Sequence, residues 1–254
     1  LLEDLQLRKA MCMAMDKEKM VELCLAGYGE VGTSVLPPGF SQWKYEFKDD
    51  ELIKFDKKAA AALLDEAGYV DTNNDGVREK DGKDLSFRIY CDEAASSDVR
   101  AAEIFRDDCK TIGIKLTLST YDENTLGDFV YDAETSDFDI VLWGWDADFP
   151  DPSYMLGITL TDQIGNNNEV LYSHPEYDAL YAEQAKLIDP AARKAKINEM
   201  EKLLYNECVF NPMWYQSKLQ AYRTDRFEGW QEAPGGIIYS PTYVNYINIQ
   251  PIAE

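Results

Sequence analysis

Between residues 85 and 145 the apolar period of the chain switches back and forth between two residues and the helical repeat. Leu85, Phe87, Ile89 and Cys91 alternate with Ser86, Arg88 and Tyr90, which predicts a strand over 85–91. Ala102, Phe105, Cys109 and Ile112 then recur on one side of a helix over 98–112 that Gly113 ends. A second strand over 114–120 alternates Ile114, Leu116 and Leu118 with polar residues. Asp122 caps a short helix reaching about residue 131, and a third strand over 138–145 follows the turn at Thr135 and Ser136. Strands and helices alternating through short connections leave one economical solution, a parallel βαβαβ unit with right-handed crossovers. Such sheets take ligands beyond the carboxyl ends of their strands. The third strand's carboxyl end runs into Trp145-Asp146-Ala147-Asp148-Phe149-Pro150-Asp151-Pro152, the most unusual loop in the chain.

Around this unit the punctuation is mostly helical. Residues 1–15 read as an amphipathic helix with neither cap nor initiator before it, as if cut from a longer chain. Asp16 caps a helix ending near Gly27, Asp56 caps one that Gly68 stops, Pro175 opens one to about residue 187, and Asp189-Pro190 starts another to about 207. The stretch 28–40, with its glycines and Pro37-Pro38, reads as irregular. From residue 210 the chain turns aromatic-rich, carries Gly235-Gly236 and shows no helical period, which sets an α/β body over 1–211 apart from a strand-and-turn tail over 212–254.

Hydrophobic residues make up 45% and charged residues 28%, the usage of a soluble globular chain. No apolar run approaches the about 20 residues that cross a bilayer, and no signal peptide is visible. A net charge of -22 with scattered Lys and Arg repels phosphate backbones and anionic lipid, arguing against nucleic-acid partners and direct membrane insertion. The acidity serves solubility or, on a competing reading, cationic ligands. The 5 cysteines form no C-x-x-C pair and read as core filler, and His174 before Pro175 as a cap or surface residue. No nucleophile elbow, Walker loop or zinc motif is present. A hydrolase reading would rest on Asp146, Asp148 and Asp151 alone, which compete with plain loop and cap roles beside two prolines.

Three segments resemble the oligopeptide-, dipeptide- and nickel-type solute-binding proteins of ABC transporters (family 5). Residues 7–16 (LRKAMCMAMD) are similar to the family's signature helix. Residues 56–69 followed by 71–83 (DTNNDGVREKDGK) are similar to its helix, Gly-Tyr stop and acidic loop. Phe138-Asp139-Ile140 with residues 144–152 (GWDADFPDP) is similar to its strand and ligand loop. The resemblance implies a periplasmic-binding-protein-like α/β lobe of type II kind. Residues 1–211 would be the second ligand-binding lobe, and 212–254 the return toward a first lobe mostly absent from this chain. It implies an extracytoplasmic, non-enzymatic component of an importer that binds small peptides and delivers them to a membrane permease, its signal or anchor lying outside this chain. Asp148 matches the position that pairs with a peptide's amino group and Trp145 an aromatic of the cleft, flanked by Asp146, Ala147 and Phe149. A buried carboxylate suits an ammonium group, because charge-assisted hydrogen bonds strengthen where water is excluded. Trp143, Trp145 and Tyr154 would stack on an oligosaccharide as readily, and a metal chelate is a further alternative.

The resemblance requires no cofactor. Asp71, Asn73 and Asp75 at alternate positions, with Gly76 next and the Val77 carbonyl beyond, reproduce the first half of a calcium loop, whereas Gly82 stands where the closing Glu belongs. A structural calcium competes with two tight turns at Asp75-Gly76 and Asp81-Gly82 around a short hairpin.

Overall fold

The computed structural model describes residues 1–132, 134, 136–146, 151–231 and 244–252. Two helices open the chain, α1 (Leu5–Met13) and α2 (Lys17–Leu25), each begun by an aspartate whose carboxylate accepts a free N–H. Asp4 takes Gln6 at 2.9 Å and Asp16 takes Lys19 at 3.1 Å. The stretch expected to be irregular contains β1 (Gly29–Val31), paired antiparallel with Trp214–Gln216. Its ladder comes from a segment far along the chain, so nothing local announces it. α3 (Lys57–Glu66) is capped by Asp56 and released at Gly68, whose φ of 85° suits glycine. A small hairpin, β2 (Glu79–Lys80) and β3 (Lys83–Asp84), follows.

β4 (Ser86–Asp92), α4 (Ser96–Lys110), β5 (Lys115–Tyr121), α5 (Glu123–Tyr131) and β6 (Ile140–Val141) form the expected unit, in one parallel sheet of order β5-β4-β6. Phe87, Ile89 and Cys91 of β4 join the main core with α1, α3 and α4, while Tyr90 points the other way onto Leu126 and Val130 of α5. The crossover α4 therefore covers one face and α5 the other, and the winding direction reverses beside β4.

The third strand is shorter than the 138–145 expected. Its ladder to β4 runs only from Asp139 N–H on the Arg88 carbonyl (3.2 Å) to Leu142 N–H on the Tyr90 carbonyl (2.8 Å). Beyond it, Leu142 packs into the main core, Trp143 against the α5 cluster and Trp145 against a separate helical core. A strand alternates between two faces only, and three destinations pull the chain out of the sheet.

That helical core is built by α6 (Ser153–Gly157), α7 (Pro175–Gln184) and α8 (Pro190–Glu207), with Leu156, Tyr177, Ile197 and Met200 at its centre. His174 caps α7, its Nδ1 accepting from Tyr177 N–H at 3.4 Å. The tail adds β7 (Trp214–Gln216) beside β1, so that Met213 and Trp214 pack on the main core. It continues through β8 (Phe227–Glu228), α9 (Val244–Asn248) and β9 (Gln250–Pro251), where β8 and β9 pair. The helix α9 was not expected; five residues are too few to show a period.

Candidate functional site

The reversal of winding places a crevice beyond the carboxyl ends of β4 and β6. An open cleft of about 1910 Å³ lies there, its wall including Asp98 at the start of α4, Trp143, Trp145 and Asp146 after β6, and Trp214 of the tail.

Trp145 is fixed by a residue that the motif does not contain. Its indole Nε1 donates to Glu169 Oε1 at 2.8 Å, and its ring meets Tyr154 edge-on at 6.1 Å. Glu169 is 4% exposed; burial pushes its carboxyl above the usual range, and the indole N–H partly offsets this. One signal could have found it: Glu169 is the only charged side chain between Asp162 and Glu176. Asp98, also missed, has its carboxyl raised by burial, against a 3.1 Å bond from Ser97 Oγ. Trp143 packs edge-on against Tyr131 at 5.9 Å, so it is partly core as well as cleft wall.

Asp146 is exposed and accepts from Lys218 Nζ at 2.9 Å, tying the loop to the tail. Ala147, Asp148 and Phe149 lie outside the described residues. Asp151 is gripped by the Arg193 fork, Nη1 to Oδ2 at 2.9 Å and Nη2 to Oδ1 at 3.0 Å, which holds its carboxyl down at about 2. A group so firmly ionised is an anchor and a poor proton donor, which counts against the hydrolase reading.

In the acidic loop, Asp71 accepts from the N–H groups of Asp75 (3.2 Å) and Gly76 (3.0 Å), Asn73 from Asp75 (2.8 Å), and Asp75 from Val77 (2.8 Å). Its polar side chains are engaged with the loop's own backbone. Among the described residues no group of three or more His, Cys, Asp or Glu side chains is placed to hold a metal ion. Nor, among them, is any helix long and apolar enough to cross a membrane.

A family profile, bacterial extracellular solute-binding proteins, family 5 middle, matches residues 1–167. The oligopeptide-binding protein AppA of Bacillus subtilis is 28% identical over 244 residues, covering 94% of this chain and 44% of that protein. Heme-binding protein A of Haemophilus influenzae is 26% identical over 237 residues, covering 92% and 40%. The solved structure of AppA with a nonapeptide superposes with a TM-score of 0.80 at 24% identity, over 100% of this chain and 48% of that one. The chain thus spans less than half the length of these relatives.

Proposed function

Because the chain belongs to the bacterial extracellular solute-binding proteins, family 5, we propose that it supplies one lobe of a peptide-binding component of an ABC importer. Residues 1–211 form that lobe and 212–254 the return toward its partner lobe. The observation that carries this reading is the cleft at the sheet's winding reversal, walled by Trp145 on its buried Glu169 acceptor and by Asp146. A peptide's α-ammonium pairs with Asp148 while its apolar side chains lie along Trp143, Trp145 and Trp214. The peptide is handed intact to a membrane permease, and an oligopeptide-binding relative at 28% identity supports this ligand class.

The test uses the full-length parent and calorimetry with a short peptide in free-amino and N-acetylated forms, alongside a mannose oligosaccharide. Asp148→Asn weakens the free-amino peptide by about 2 to 5 kcal/mol and leaves the acetylated one unchanged, because only the former brings a charge to be paired. Equal losses for both peptides remove Asp148 from the ammonium site. Binding of the oligosaccharide alone replaces peptides by sugars as the ligand.

A further inference from the structure

The first helix and the end of α8 meet side by side. Arg8 donates from Nε to the Glu207 carbonyl at 2.7 Å and from Nη2 to the Glu207 carboxylate at 3.0 Å. Cys12 follows one helical turn after Arg8 on the same side of α1. Cys208 follows Glu207 in a left-handed conformation (φ 54°) that ends α8. The two thiols, with Lys17, Tyr205 and Asn211, line one cavity of about 10 Å³, where Cys208 Sγ donates to the Tyr205 carbonyl at 3.5 Å. Both are free, and both also border the open cleft.

We propose that Cys12 and Cys208 are a paired dithiol that an external small disulfide oxidises to a bridge between α1 and the end of α8. Cys208 is the attacking thiol: the neighbouring Cys12 lowers its titration against the opposing effect of burial, with Lys9 and Arg8 helping and Glu207 opposing. Its thiolate attacks the external disulfide, forming a mixed disulfide and releasing one thiol. Cys12 then attacks the Cys208 sulfur and expels the second, so the external disulfide is reduced to two thiols, which take up the two thiol protons. The family is extracellular, where such oxidants persist. α1 belongs to the main core and α8 to the helical core, so the bridge clamps together the two bodies that carry the cleft wall.

The experiment equilibrates the reduced chain in glutathione buffers of graded oxidising strength, alkylates it, digests it without reduction and weighs the peptides. The expected product is a cross-linked pair containing Cys12 and Cys208, lighter by two hydrogens than the separate peptides, with Cys24, Cys91 and Cys109 alkylated after denaturation. The melting temperature rises on oxidation, falls back with dithiothreitol, and does neither in Cys208→Ser. In Cys12→Ser, glutathione is retained on Cys208. Should either variant fail to fold, the mass measurement on the native chain still decides. Alkylated Cys12 and Cys208 at the oxidising end, glutathione on each without a cross-link, or a bridge through Cys24 overturns the proposal.

Discussion

Replacing Glu201 by glutamine should flatten the pH dependence of folding between about pH 4.5 and 7. Glu201 lies on α8 at 1% exposure, accepting from Ser34 Oγ and from Tyr45 N–H, each at 2.6 Å. The nearby Lys44 ammonium is directed to the Leu36 carbonyl (2.7 Å) and the Tyr215 hydroxyl (2.8 Å). Burial therefore dominates and lifts the carboxyl from 4.5 to about 7. A carboxyl raised on folding binds its proton more tightly in the folded state, so its contribution is full below about pH 4.5 and is lost as pH rises through 7. At about 1.4 kcal/mol per pH unit the loss is about 3 kcal/mol. Glutamine keeps the pairing: its oxygen faces Tyr45 N–H and its amide donates to Ser34 Oγ, whose own proton turns to the Leu36 carbonyl. Urea unfolding of both proteins at a series of pH values isolates the group, because every other titration is shared. The stability difference should move by about 3 kcal/mol in the variant's favour between pH 4.5 and 8. Parallel profiles would show that Glu201 stays ionised in the fold and would refute the argument.

Glu169→Ala leaves the Trp145 indole N–H without its acceptor and should cost about 1–3 kcal/mol, with a change in tryptophan emission, whereas Glu169→Gln should restore most of both. Gly32→Ala places a methyl against the Pro212 carbonyl, which must shift where the β1–β7 pairing ends; thermal melts should show a loss of about 1–3 kcal/mol. Asp71→Ala removes the acceptor of two N–H groups and should lower stability by about 1 kcal/mol equally in chelator and in millimolar calcium. A wild-type melting temperature that climbs with calcium and loses that dependence in the variant would instead place the ion in the loop.

What the sequence disclosed follows how local each determinant is. The aspartate caps at Asp16, Asp56, Asp122 and Asp189 act within three residues of themselves, and all four are observed. The period-two runs of β4 and β5 carry their own faces, so both strands were legible to within a residue or so. By contrast β1 and β7 are three-residue strands that exist only through each other, and α9 is too short to carry a period. In the site, Trp145 and Asp146 stood out through their motif. Glu169 did not, because its role arises from a tertiary contact that sequence spacing does not encode.

The segment from Asp139 to Trp145 is held at several separate places. Asp139 accepts from Arg88 N–H at 2.8 Å and Arg88 Nε at 3.0 Å, pinning the entry to β6. Leu142, Trp143 and Trp145 then each enter a different cluster, so rotating any one out costs buried contacts in a separate place. Further on, Asp146 is paired with Lys218 and Asp151 is clamped by Arg193 on α8. Exposed ion pairs add little to stability by themselves. Each anchor comes from a different element, the tail on one side and α8 on the other. A change in how the two cores sit against each other would therefore reach Asp146 and Asp151 directly, and the Arg8–Glu207 contact beside the Cys12–Cys208 pair lies at that junction.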